Sequence, residues 1–222
     1  MKKIMILILF LLCFQKNFSF IYSYGGEEAS TLILNKKEFI KIMLPIIEDV
    51  KQEILSEKER VREISKKTNL TLGEIEFVNR RFEKYRVPKG NYKKLLNRMI
   101  IPPTSIVLAQ ASLESGWGKS RVTKEASNLF GVKSFNSNDS RIKALESDKV
   151  YYKKYNSLRE SVDDYVINLS RHKSYEGFRE VLIQNESIEL AIEALKEYCE
   201  HEEYGEQLLA IISKNDFLKY DF

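Results

Sequence analysis

The strongest constraint on the fold is an almost uncharged stretch that begins at Pro102-Pro103 and ends near Gly116. Proline is tolerated in the first turn of a helix and glycine favours its end, so this stretch predicts a helix over about 103–115. Its centre, Ile106–Leu113, reads IVLAQASL, a composition typical of a helix that is buried on most of its circumference. We expect this segment, called the Glu114 helix below, to be a core element.

One acid, Glu114, lies in the last turn of this helix, and helical spacing places Gln110 or Ala111 on the same face. Burial and the negative end of the helix dipole both disfavour a carboxylate, so both are expected to raise the pKa of Glu114. A carboxyl group that stays protonated near neutral pH can act as a general acid. Two other interpretations remain open: the side chain reaches solvent, or it pairs with Lys119 or Arg121.

The first 23 residues read as an export signal. Two lysines precede an apolar run of about eleven residues, which is long enough for a signal peptide and short for a membrane span. We therefore predict an exported protein of the periplasm, the extracellular space or the cell envelope. An uncleaved signal anchor is the main alternative, and only then do we expect contact with a membrane.

Composition excludes several function classes. The formal charge of +4 falls to +1 once Lys2, Lys3 and Lys16 are removed with the signal, so no nucleic-acid partner is expected. The two histidines, His172 and His201, have no paired ligand spacing, and we expect no metal and no cofactor.

Residues 24–85 predict an N-terminal helical region. A helical periodicity runs over about 35–67, where Pro45 should interrupt or kink it, and a capping box follows at Thr71–Glu74.

Several separated motifs carry a family resemblance. These are QASLESGWG at Gln110–Gly118, NLFGVK at Asn128–Lys133, YNSLRES at Tyr155–Ser161, and two tyrosines six residues apart, Tyr198 and Tyr204. Together they resemble the glucosaminidase family of peptidoglycan hydrolases, glycoside hydrolase family 73, and more closely its Bax-like branch. The resemblance runs from about residue 85 to the C-terminus, and we expect residues 86–222 to form this domain.

The resemblance implies a mostly α (α+β) fold: a lysozyme-like helical domain with a small β-lobe beside the catalytic helix. It implies that Glu114 is the proton donor and that a second acid lies in the lobe about thirty residues later. Glu146 is the best-placed candidate for that acid, with Asp139 and Asp148 as alternatives. Two carboxyl groups suit glycoside hydrolysis, because one protonates the leaving oxygen while the other activates water or stabilises the cation.

The resemblance further implies that Tyr198 lines the active site, while Tyr204 packs the following helix. It makes Gln110, Asn128 and Phe130 candidates for substrate contact. Plain packing roles remain open for Tyr198 and for Asn128, and Leu129 and Phe130 are expected to anchor their turn in the core.

The implied function is an endo-β-N-acetylglucosaminidase that cleaves the β-1,4 bond after N-acetylglucosamine in peptidoglycan glycan strands. A lytic transglycosylase and an inactive wall-binding protein are the alternatives. Two further predictions concern single residues: Trp117 is expected in the core because glycines flank it, and Cys199 is expected to be a buried apolar cysteine.

Overall fold

A computed structural model of the chain describes residues 35–145, 147–199 and 201–221. The predicted signal segment and the candidate acid Glu146 lie outside the described residues. The described part is mostly helical and carries one small antiparallel sheet, which confirms the prediction of a mostly α protein with a small β-lobe.

The elements follow one another as helices interrupted once by a pair of strands. The helices are α1 Lys36–Ile64, α2 Leu72–Lys84, α3 Tyr92–Arg98, α4 Thr104–Ser115, α5 Arg121–Ala126, α6 Leu158–Arg171, α7 Glu176–Gln184, α8 Ile188–Glu193 and α9 Tyr204–Lys214. The strands are β1 Arg141–Lys143 and β2 Tyr151–Lys153, and short 3-10 helices cover Lys173–Tyr175, Lys196–Tyr198 and Phe217–Tyr220.

The N-terminal helices form where the apolar periodicity places them. Pro45 lies inside α1, so the interruption that we considered at this position does not occur. Proline removes one backbone hydrogen bond from a helix, but Met43, Ile46 and Ile47 around it are all buried, and that burial outweighs the loss. Helix α2 begins with the predicted capping box, in which the Thr71 side chain accepts from the Glu74 N–H and the Glu74 side chain accepts from the Thr71 N–H.

The chain divides into two compact units, each built from two separated segments. Of the described residues, the first unit contains those in the ranges 35–46 and 114–161, and the second contains those in the ranges 47–113 and 162–221. Helices α1, α4 and α6 each contribute residues to both units. The domain boundary expected near residue 85 stays a prediction.

Each unit has its own buried apolar side chains. In the first unit they include Phe39, Met43, Ala126, Leu129, Phe130 and Leu158. In the second they include Val50, Ile54, Phe82, Leu95, Ile106, Leu108, Val166, Phe178, Leu195, Leu208 and Phe217.

The small β-lobe belongs to the first unit. Strands β1 and β2 pair antiparallel with Ile142 opposite Tyr152, and Lys133 adds an isolated bridge to Tyr152 from the other side. A two- or three-strand lobe was the prediction for this region, and the observed lobe matches it.

The C-terminal helices differ from the prediction in one place. A continuous helix over Ile188–Tyr198 was expected, but α8 ends at Glu193 and a separate 3-10 turn covers Lys196–Tyr198. In this turn the Tyr198 N–H donates to the Leu195 carbonyl at 2.8 Å, which is a tighter closure than an α-helix makes. Within the described ranges, no helix is both long and apolar enough to span a membrane.

Candidate active site

The Glu114 helix is α4, Thr104–Ser115, and its burial is nearly complete. The six consecutive residues Ile106–Ala111 are each at most 1% exposed, as the uncharged sequence predicted. In its first turn the Thr104 hydroxyl accepts a hydrogen bond from Lys51 Nζ at 2.8 Å. The Thr104 hydroxyl is buried away from water, and Lys51 supplies the hydrogen-bond partner that water would otherwise provide.

Glu114 occupies the last turn of α4 and is half-buried. The chain leaves the helix through three consecutive residues in the left-handed region, Gly116 at φ 58°, Trp117 at φ 60° and Gly118 at φ 76°. The Gly118 N–H then donates to Ser115 Oγ at 2.7 Å, which closes the turn. The carboxyl group therefore lies on a helix end whose exit is fixed by a side-chain hydrogen bond.

Trp117 is half-buried rather than fully in the core, so the sequence overestimated its burial. Its ring meets the edge of Phe39 at 5.7 Å between centroids, and Lys36 Nζ lies 4.5 Å from its centre. The backbone of Trp117 is left-handed at φ 60°, which is uncommon for a residue other than glycine.

Arg121, one of the two expected ionic partners of Glu114, has other contacts. Its guanidinium donates to Glu125 at 2.6 Å and to the Lys143 carbonyl at 2.7 Å. These contacts tie helix α5 to strand β1 within the first unit.

Asn128 organises the turn that follows α5. It is 1% exposed, and its Nδ2 donates to the carbonyls of Val132 at 3.0 Å and Lys153 at 2.9 Å. Its Oδ1 accepts from the Val132 N–H at 3.0 Å. Asn128 therefore has the structural role that was the open alternative, while a contact with substrate stays a prediction.

Two buried apolar residues anchor the rest of this turn. Leu129 and Phe130 are buried as expected, and the Leu129 N–H donates to Ser161 Oγ at 3.0 Å. The left-handed residues on either side are Ser127 at φ 49° and Gly131 at φ 62°. The Asn128 backbone contributes as well, because its carbonyl accepts a hydrogen bond from the Thr123 hydroxyl at 3.1 Å. Substrate contact by Phe130 stays a prediction.

The lobe holds the two alternative acids among the described residues. Asp139 accepts a hydrogen bond from Ser134 Oγ at 2.8 Å and is partly covered. Asp148 forms an ion pair with Lys143, and its side chain is 90% exposed. Both carboxylates have a partner inside the lobe, and Glu146 remains a prediction from sequence.

Gln110 and four tyrosines form a polar and aromatic network in the second unit. Gln110 is fully buried, and its Nε2 donates to the Tyr204 hydroxyl at 2.9 Å while its Oε1 accepts from the Tyr165 hydroxyl. Tyr198 stacks on Tyr204 with ring centroids 5.8 Å apart and an interplanar angle of 12°. Its ring also contacts Tyr165 and Tyr175, each at 6.2 Å. We call Tyr165, Tyr175, Tyr198 and Tyr204 the tyrosine cluster.

Residues 89–217, more than half of the chain, match the model of the Glucosaminidase family, described as mannosyl-glycoprotein endo-β-N-acetylglucosaminidase. The chain belongs to this family. The match confirms the resemblance drawn from the motifs. It also includes all of the Glu114 helix, the Asn128 turn, the lobe and the tyrosine cluster.

Relatives of this chain are found among both characterised proteins and solved structures. The protein named bax from Escherichia coli K12 is 31% identical over 150 residues, which are 65% of this chain and 54% of bax. The exo-glucosaminidase LytG from Bacillus subtilis is 34% identical over 131 residues, which are 53% of this chain and 45% of LytG. The chain thus spans about half the length of these relatives. The solved catalytic domain of the autolysin Auto from Listeria monocytogenes has a TM-score of 0.46 at 24% identity, covering 74% of this chain and 97% of that one.

Sequence reasoning missed the hydrogen-bond partners of Gln110 in this member of the Glucosaminidase family. Tyr165 and Tyr204 lie 55 and 94 residues away from it, and no local pattern marks either tyrosine as its partner. In the described residues, no group of three or more His, Cys, Asp or Glu side chains is arranged to hold a metal ion. Cys199 is half-buried, which is less burial than expected.

Proposed function

We propose that this chain is a peptidoglycan hydrolase, an endo-β-N-acetylglucosaminidase that cleaves the β-1,4 bond after N-acetylglucosamine in glycan strands. The observation that carries the proposal is the family match over residues 89–217, which contains Glu114 and the whole of its helix. The names of two relatives, the exo-glucosaminidase LytG and the peptidoglycan hydrolase FlgJ of Salmonella typhimurium, support the same class of reaction.

Glu114 is the proposed general acid. Two conditions favour the protonated carboxyl, partial burial and the carbonyl end of a helix, and both apply at its position in α4. In the reaction the carboxyl proton passes to the glycosidic oxygen while the bond to the anomeric carbon breaks. The resulting sugar cation is then captured by water.

Glu146 is the proposed second acid, which activates that water or stabilises the cation. The contacts of its two alternatives support this choice. The Asp148 carboxylate is ion-paired with Lys143 at an exposed position, and the Asp139 carboxylate is held by Ser134. Tyr198 is the proposed aromatic wall of the site, where its hydroxyl orients the sugar or the attacking water.

The test is digestion of purified peptidoglycan followed by mass analysis of the fragments. We expect reducing N-acetylglucosamine ends from the wild-type chain and none from Glu114→Gln, because the amide cannot supply the proton. Glu125→Gln is the matched control, since Glu125 is an exposed acid of the same unit that pairs with Arg121. Turnover by Glu114→Gln at the wild-type rate would exclude Glu114 as the general acid.

The products separate the proposal from its alternatives. Anhydro-muramic ends would identify a lytic transglycosylase, and binding of muropeptides without any product would identify a wall-binding protein. Release of single terminal sugars instead of internal fragments would indicate exo cleavage, the mode named for LytG. Glu146→Gln, compared with Asp139→Asn and Asp148→Asn, identifies the second acid as the one whose loss removes turnover.

The proposed substrate lies outside the cytoplasmic membrane, so the proposal requires export to the cell envelope. The basic and apolar composition of residues 1–23 supports this location. Cell fractionation of the full chain and of a chain that lacks these residues tests it. We expect the shortened chain to remain in the cytoplasm.

A further inference from the structure

The Gln110 amide binds two tyrosine hydroxyls in the interior of the second unit. Gln110 is fully buried in α4, four residues before Glu114, and both ends of its amide are used by tyrosine hydroxyls. An amide can donate from nitrogen and accept at oxygen, so one side chain fixes two hydroxyls with opposite roles. The Tyr165 hydroxyl donates to Gln110, and the Tyr204 hydroxyl accepts from it.

The two tyrosines held by Gln110 are also ring neighbours of Tyr198. Tyr204 lies parallel to the Tyr198 ring at 5.8 Å, and Tyr165 meets it edge-on at 6.2 Å and 68°. Tyr165 and Tyr204 are 1% and 4% exposed, whereas Tyr198 is only partly buried. The Tyr198 ring is thus the accessible member of an arrangement whose buried members are hydrogen-bonded to one glutamine.

We propose that Gln110 is a positioning residue: it locks the rings of Tyr165 and Tyr204 and thereby fixes the orientation of Tyr198. Ring packing alone allows an aromatic side chain to slide and tilt, because stacked and edge-on contacts are each shallow in energy. A buried hydrogen bond at the far end of each neighbouring ring removes that freedom. This inference rests on the proposed function, in which Tyr198 contacts the sugar or the water.

The proposal replaces the predicted role of Gln110 in substrate binding with an indirect one. A direct substrate ligand would raise KM when removed, whereas a residue that orients a catalytic side chain lowers kcat. Gln110→Glu keeps the size of the side chain but offers only acceptors when ionised, so the bond to Tyr204 must reverse or break. Tyr204→Phe and Tyr165→Phe keep the rings and remove one hydroxyl each.

The first experiment measures the release of reducing ends from peptidoglycan. We expect Gln110→Glu and Tyr204→Phe to lower kcat about 10- to 100-fold with KM little changed, the scale of a small misplacement of a reacting group. Tyr220→Phe is the matched control, because it removes a tyrosine hydroxyl from the same unit at a ring that contacts Phe217. An increase in KM alone would restore direct substrate binding and overturn the proposal.

A double variant separates positioning from general damage. If Gln110 acts through Tyr198, adding Gln110→Glu to Tyr198→Phe causes no further loss of kcat, because the oriented hydroxyl is already absent. Losses that multiply would show that Gln110 acts independently of Tyr198. Wild-type activity of Tyr198→Phe would also overturn the proposal.

A second readout does not depend on activity. In the full chain with ring-labelled tyrosine, the NMR signal of Tyr198 is identified by its loss in Tyr198→Phe. We expect Gln110→Glu and Tyr204→Phe to shift this signal and Tyr220→Phe to leave it in place. A Tyr198 signal that does not move in these variants overturns the proposal. If the wild-type chain shows no turnover but the variants shift the signal as expected, only the proposed function is refuted. If Gln110→Glu does not fold by circular dichroism, Tyr165→Phe and Tyr204→Phe decide the outcome.

Discussion

Asp221 caps the Glu114 helix by accepting two hydrogen bonds from Ser105. The Ser105 backbone N–H donates to Oδ1 at 2.7 Å and the Ser105 hydroxyl donates to Oδ2 at 2.6 Å, although the residues are 116 positions apart. The first N–H groups of a helix have no partner within it, and the two prolines before Thr104 offer no side-chain acceptor. A carboxylate from the end of the chain therefore replaces a local cap.

Removing this cap should destabilise the fold. We expect Asp221→Ala to lower the free energy of unfolding by about 1–2 kcal/mol, the usual cost of losing a capping side chain. Urea denaturation followed by circular dichroism measures the change. Lys219→Gln is the control, since it removes only an exposed pair with Asp216 and a contact with the Tyr220 ring, and should leave stability nearly unchanged. Equal stability of Asp221→Ala and the wild type would refute the capping role.

Asn128→Ala should destabilise the first unit through the turn. The substitution leaves the carbonyls of Val132 and Lys153 and the N–H of Val132 without their side-chain partner. We expect a loss of about 2–4 kcal/mol in the free energy of unfolding, because three hydrogen bonds to partly buried backbone groups are lost together, although the Val132 carbonyl keeps the bond from the Lys153 N–H. Asn138→Ala, at an exposed position of the lobe, is the control. Unchanged stability together with weaker substrate binding would favour a contact with substrate instead.

Gly116→Ala tests the exit from the Glu114 helix. Its φ of 58° is left-handed, and a methyl group there would meet nothing within 4 Å, so the cost is backbone strain alone. We expect a loss of about 1 kcal/mol in the free energy of unfolding. Gly73→Ala in α2 has equally open space without a left-handed φ and should instead gain a few tenths to about 1 kcal/mol. Changes of the same sign at both glycines would contradict this explanation.

The pKa of Glu74 is lowered to about 2, first by the hydrogen bond from Lys67 and then by the Thr71 N–H of the capping box. A lowered pKa means that the folded chain favours the ionised carboxylate, so this stabilisation is fully present above the ordinary value of 4.5. It is lost as pH falls toward 2. We therefore expect the difference in unfolding free energy between wild type and Glu74→Gln to shrink over this range.

Urea denaturation at a series of pH values measures that difference. Glu76→Gln is the control on the same helix, because Glu76 forms an exposed pair with Arg80 and should give a small difference throughout. A difference for Glu74→Gln that stays constant down to pH 2 would exclude the capping-box carboxylate as its source.

Elements that depend on near neighbours were predictable from sequence. The Thr71 capping box and the start of the Glu114 helix at its two prolines form as expected, because each requires residues only a few positions apart. The break between α8 and the turn at Tyr198 was not predictable, because the apolar periodicity continues through it.

By itself the sequence determined the family, the acid at the end of an uncharged helix and the mostly helical fold with a small lobe. It did so because motif spacing and apolar periodicity are local properties of the chain. The tertiary structure decided which groups satisfy the polar side chains of that buried helix: Tyr165 and Tyr204 at Gln110, and Asp221 at Ser105. A buried polar group must find a partner, but the partner is whichever group the packing brings near, and sequence separation does not reveal it.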